Sequence, residues 1–295
     1  MVRFLKYSLL ALAGLSTLGI SACSIGEPLR SEVAMRLSGP AWMVKREIEA
    51  GPFKLTAFER MHEREKPAAL YIEGNGEADF SIRGELFDAT PRNPVALHLA
   101  SMDKSDNVAY IARPCQYSGL QDADLECGEK YWKDAQFSTE ILGAYHSAMD
   151  GIKARYGVRS FNIVGYDGGA TLAALLSGQR NDVISLKTVA SQFDLNALDT
   201  SLDKLRAIPQ HHYIGGQDET APPEGLHAYI QALGDTQCAD YTLIQEAEHE
   251  KGWVNKWPEF LKKGTPTCYR PPEPEFVPIE RPKPIYVPRM KGSKK

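Results

Sequence analysis

The stretch Ile163-Val164-Gly165-Tyr166-Asp167-Gly168-Gly169-Ala170 holds the residues best suited to chemistry. It has the spacing of a nucleophile elbow, Gly-x-Ser-x-Gly, with an aspartate where a serine would stand. An elbow lifts its central side chain off the end of a strand through a sharp turn into a helix. Its flanking residues must be small, as Gly165 and Gly169 are. The central residue takes an unusual backbone conformation, which Asp tolerates better than most. A carboxylate with an ordinary pKa of about 3.9 is ionised at neutral pH, so it can attack without a base.

Two more groups follow in the order nucleophile, acid, histidine. Asp218 lies in Tyr213-Ile-Gly-Gly-Gln-Asp218, and His249 in Glu246-Ala-Glu-His249. Asp218 would fix one imidazole nitrogen and leave the other facing the site. The backbone N–H groups of Gly74, Asn75 and Gly76, with that of Gly168, are candidate donors to a developing oxyanion. Plainer readings stay open: Asp218 as a cap before Pro222-Pro223, His249 as a surface histidine, residues 73–76 as a simple turn. His211 and His212 precede a strand and read as structural.

The elements that must position these groups alternate. Residues 43–50 and 53–61 read as a hairpin turned at Gly51-Pro52, and 68–73 as a short buried strand. A helix is expected over 94–102 and a strand over 107–112. Residues 139–156 form an amphipathic helix with Ile141, Leu142, Tyr145, Met149 and Ile152 on one face. The elbow strand (160–164) and its helix (169–176) follow, then strands over 183–190, 212–215 and 241–245, with helices over 223–233 and 256–262. Such alternation implies an α/β domain whose sheet is mostly parallel, helix-covered on both faces, and antiparallel at its start. The site residues fall at the carboxyl ends of strands, where such sheets place ligands.

The ends differ from this body. Arg3 and Lys6, an apolar run from Tyr7 to Ile20, and Ile20-Ser21-Ala22-Cys23 have the form of a bacterial secretory signal ending in a lipobox. Residues 1–22 would be the signal peptide and Cys23 the lipidated first residue of the mature protein. Ser24 is the kind of residue that follows the cysteine in outer-membrane lipoproteins, so a periplasm-facing position at that membrane is expected. Residues 23–42 show little pattern and read as a tether, residues 43–263 as the domain. The remaining cysteines, Cys115, Cys127, Cys238 and Cys268, are even in number, which in an exported chain favours disulfides over metal ligation. Three pairings are possible; sequence order favours Cys115–Cys127 and Cys238–Cys268. Residues 264–295 form a Pro-rich basic tail, a loose end or an arm for an envelope partner. A net charge of −4 with no basic block in the body argues against nucleic acid. No metal or other cofactor is expected.

Together, Tyr71-Ile-Glu-Gly-Asn-Gly76, Ala112-Arg-Pro-Cys-Gln-Tyr117, Val164-Gly-Tyr-Asp-Gly-Gly-Ala170, Thr188-Val-Ala190, Gly215-Gly-Gln-Asp218 and His249 with Gly252-Trp253 resemble the α/β-hydrolase-fold lipoproteins of the bacterial envelope. The resemblance spans about Met43 to Leu261 and implies a fold and a site rather than a substrate. Members generally carry Ser at the elbow, so Asp167 departs from esterase chemistry.

Three roles follow for Asp167. It resembles the nucleophile of haloalkane dehalogenases and epoxide hydrolases, attacking an sp³ carbon to form an ester that His249 then hydrolyses with water. Those enzymes carry a large helical cap, for which residues 191–210 leave no room, and Gly168 stands where dehalogenases often place a halide-binding Trp. Alternatively, Asp167 and His249 form a satisfied ion pair in an inactive site that serves as an envelope binding or scaffold module. Or the two act jointly on water.

Overall fold

The structure, a computed structural model, describes residues 26–76, 79–80, 86–117, 127–234 and 236–268. In chain order the elements are α1 (Gly26–Ser38), β1 (Val44–Ala50), β2 (Phe53–Met61), β3 (Ala68–Ile72), β4 (Asp79–Phe80), β5 (Leu86–Asp88), α2 (Val95–Met102) and β6 (Asn107–Ile111). Then come α3 (Thr139–Tyr156), β7 (Phe161–Tyr166), α4 (Gly169–Gln179), β8 (Val183–Val189), α5 (Leu195–Leu198), α6 (Leu202–Leu205), β9 (Gln210–Gly215), α7 (Pro223–Leu233), β10 (Ala239–Ile244) and α8 (Trp257–Lys262).

Eight strands form one sheet in the order β1-β2-β6-β3-β7-β8-β9-β10. The β1–β2 and β2–β6 pairs are antiparallel and the rest are parallel. β3 reads Ala-Ala-Leu-Tyr-Ile and is buried throughout, because helices cover both of its faces. On one face α3, α4, α6 and α7 pack over Leu70, Ile163 and Leu186. On the other, α2, α8 and part of α1 pack over Tyr71, Tyr110 and Tyr213, with Trp257 fully buried among them. Residues 190–209, between β8 and β9, hold only α5, a 3-10 turn and α6, two short helices where one was expected, and no large cap.

The expected tether is not one over its described part. α1 is helical because Arg30, Ala34, Leu37 and Ser38 recur on one face and dock it. Arg30 is buried, ion-paired to Asp88 at 2.9 Å and bonded to the Thr90 carbonyl at 2.7 Å. A stripe that begins with Arg and ends with Ser does not register as hydrophobic, which hides it in the sequence. The β4–β5 ribbon also went unpredicted. Both favoured disulfides form, Cys115–Cys127 and Cys238–Cys268. The signal region, Cys23 and the tail beyond residue 268 lie outside the described residues.

Candidate active site

β7 delivers the elbow. Asp167 stands at φ 53°, in the left-handed region, directly after the strand. Its N–H donates to the Val189 carbonyl at 3.1 Å and its carbonyl accepts from Ala170, so the turn is pinned at both ends. The turn works only with glycine at its flanks. A Cβ on Gly165 would lie 2.6 Å from the Gly169 carbonyl, and one on Gly169 would lie 2.4 Å from the Glu73 carbonyl. The parallel register sets Ile72 opposite Gly165, which brings the loop after β3 beside Asp167.

The three predicted residues converge. His249 Nδ1 lies 3.1 and 3.0 Å from the two oxygens of Asp218, and its Nε2 lies 3.4 Å from Asp167 Oδ1. The His249 loop is fixed through its carbonyl, which accepts from the indole of buried Trp253 at 2.8 Å and the Tyr166 hydroxyl at 3.3 Å. Asp218 also accepts from the N–H groups of Thr220 and Ala221, so it turns its own loop as well as holding the imidazole. Burial works to lower the His249 pKa, but hydrogen bonds and charge from Asp167 and Asp218 outweigh it and raise the value to about 9. At neutral pH the site therefore holds an imidazolium between two carboxylates.

The four candidate oxyanion donors divide. The Asn75 N–H donates to Asp167 Oδ2 at 2.9 Å, so the side chain's own oxygen occupies the place of an oxyanion. The Gly74 N–H is turned away, to Glu73 Oε1 at 3.0 Å. Gly76 bends the loop at φ 66°, and Gly168 opens the turn into α4.

Three supporting residues carried little sequence signal. Gln192, exposed at the carboxyl end of β8, donates from Nε2 to Asp167 Oδ1 at 2.6 Å. Buried Arg113 donates to the Asn75 side-chain oxygen at 2.6 Å and stacks over Trp132 and Phe137, which sets the loop that offers the Asn75 N–H. Glu73 accepts from the N–H groups of Gly74 and Ala96 and from the Tyr110 hydroxyl, tying the same loop to the start of α2. Burial raises its pKa to about 7. Only position marks Gln192, whereas Arg113 and Glu73 lie inside two of the motifs that carried the resemblance. A cavity of about 380 Å³ opens over Asp167, His249 and Gln192, bounded by Pro91, Arg92, Asn93 and Thr220.

A mostly parallel sheet with an elbow at its centre, and no large cap among the described residues, has clear counterparts among solved structures. The fold is that of the α/β hydrolases. A protein of unknown function from Agrobacterium tumefaciens, described as a candidate alpha/beta hydrolase, superposes with a TM-score of 0.56 at 15% identity, covering 76% of this chain and 100% of its own. An alpha-beta serine hydrolase homologue from Coxiella burnetii gives 0.53 at 14%, covering 75% and 94%. An α/β serine hydrolase without lid from Xanthomonas campestris gives 0.52 at 10%, covering 74% and 89%. No family model and no curated protein matches the chain. Likeness at this identity concerns the α/β-hydrolase fold alone.

Proposed function

We propose that this protein is a lipid-anchored envelope hydrolase in which Asp167 attacks an electrophilic sp³ carbon of a small substrate. The observation that carries this reading is the posture of the Asp167 carboxylate. Oδ2 rests on the Asn75 N–H while Oδ1 meets His249 and Gln192, which line the cavity with it. With an epoxide, an Oδ1 lone pair forms the new C–O bond and the ring C–O bond breaks. The departing oxygen takes the Nε2 proton of the imidazolium. His249 is then neutral, and it has lost the Asp167 charge that helped hold its proton. It can now take a proton from water, whose oxygen attacks the ester carbon. Negative charge develops on Oδ2, already seated on the Asn75 N–H. Collapse expels the diol oxygen, which takes the proton of the newly formed acid, and the imidazolium–carboxylate pair is restored. Ordinary carboxylic esters are poor substrates, because attack on them would make an anhydride.

Export and lipidation at Cys23, at a periplasm-facing position on the outer membrane, are supported by the lipobox pattern and by two disulfides, which persist in oxidising compartments. The Pro-rich tail is proposed as the contact for an envelope partner. A second reading is favoured by one observation: Gln192 bonds Oδ1 at 2.6 Å and completes a satisfied, non-nucleophilic ion pair suited to ligand binding.

Intact-mass analysis of the His249→Ala protein after exposure to small alkyl halides and epoxides separates these readings. A halide leaves without a proton, so its adduct should accumulate, and Asp167→Asn in the same background should abolish it. The epoxide arm should slow with loss of the imidazolium. Absence of any adduct across the panel would favour the binding reading.

A further inference from the structure

Three of the five large apolar side chains exposed among the described residues, Met35 (50%), Trp42 (81%) and Val44 (65%), fall within ten residues of chain. The other two, Tyr241 and Leu243, lie on β10 at the opposite edge of the sheet. Trp42 is held, not loose. Its N–H donates to the Gly39 carbonyl at 3.0 Å, that of Met43 donates to the Ser38 carbonyl at 3.0 Å, and Arg60 clamps the Ala41 carbonyl at 2.9 Å. Its φ of 57° is a left-handed conformation that a bulky residue adopts at a cost of about 1–2 kcal/mol. The fold therefore accepts strain to display an indole that gains little packing among the described residues, which is how a binding surface is presented.

We infer that the Trp42 turn is a membrane-docking element that lays α1 along the lipid surface. Trp favours the membrane–water interface because its ring is apolar while its N–H stays wet. Two residues separate Cys23 from Gly26, a reach of about 10 Å when extended. α1, about 20 Å long, then ends at the Trp42 turn. An anchor at one end of a docked helix and an indole at the other make two points of attachment. Charges beside the turn are mixed, Arg36 and Lys45 against Glu32 and Glu47, so apolar insertion rather than charge carries the contact. The arrangement also sets where the active site lies. Arg30 fixes the first half of α1 to Asp88 and Thr90, and the next residues, Pro91 to Asn93, line the site cavity. The cavity rim would then stand beside the bilayer surface, open to small amphiphilic substrates.

The lipid anchor belongs to the preceding proposal, so the test is run without it. The mature chain carrying Cys23→Ala is mixed with phosphatidylethanolamine–phosphatidylglycerol vesicles. Trp253 and Trp257 are buried and Trp132 is half-buried under Arg113, so the emission change assigned to Trp42 is the part that Trp42→Ala removes. A blue shift is expected, with quenching by lipids brominated in their acyl chains, and both should survive 0.5 M salt. Trp42→Ala should weaken vesicle binding about tenfold, the loss of a small part of one indole's burial energy. Trp42→Gly, which relieves the left-handed strain, should lose binding equally while melting no lower than the parent. An unshifted emission, or variants that bind as the parent does, would overturn the inference. Palmitate labelling of the full precursor in cells, lost on Cys23→Ala, tests the anchor separately. Failure there would remove the anchor, and the vesicle result would still decide the role of Trp42.

Discussion

His249 and His212 are the same side chain brought to opposite states. His212 lies inside β9, fully buried, its Nδ1 2.8 Å from the Thr188 hydroxyl and its ring against Phe193 and Tyr229. Burial, with a smaller push from His211, drives its pKa down to about 3. His249, in the loop after β10, is also desolvated, yet it sits between two carboxylates and is raised to about 9. The difference shows that burial alone makes an imidazole a neutral packing piece. Two acids on opposite ring nitrogens make it a stored proton. Asp167, at the end of β7, and Asp218, just past the strand that carries His212, together separate the two outcomes.

The sharpest way to break the contrast is Asp218→Ala. His249 would lose the acceptor that orients it, and turnover of a small epoxide should fall about 10³–10⁴-fold, measured as kcat/KM. Next, His212→Ala should cost about 2–4 kcal/mol in denaturant unfolding through lost packing, while leaving the His249 titration unchanged. The third test uses pH. A group whose folded pKa is raised stabilises the fold while it is protonated. The stability difference between the parent and His249→Gln should therefore be full below about 6.5, and should vanish as pH rises through about 9. Unfolding midpoints from pH 5 to 10 would show it. The smallest effect is expected at Glu73→Gln, within about 1 kcal/mol, since a neutral amide keeps an acceptor for Gly74 and Ala96.

Much of this was legible from residue order. The elbow declared itself by Gly165 and Gly169, whose hydrogens alone fit the turn, and Asp218 and His249 by their places after strands. The disulfides followed from proximity in sequence. What stayed hidden depends on side-chain direction in three dimensions. Nothing in Gly74-Asn75-Gly76 says that the Gly74 N–H turns to Glu73 while that of Asn75 meets Asp167. Gln192 is one exposed residue in a loop, and its reach to Oδ1 depends on the turn after β8, where Ala190 stands at φ 48°. α1 escaped because its docking residue is an arginine, which contributes an ion pair with Asp88 where hydropathy patterns look for carbon.

The central claim, that Asp167 becomes esterified and is regenerated by water, is tested most directly by isotope. Repeated turnover of a small epoxide in ¹⁸O-water should place ¹⁸O in the carboxylate of the peptide carrying Asp167, because water attacks the ester carbon and not the substrate. A product that takes its new oxygen straight from solvent, with that peptide unlabelled, would contradict the account.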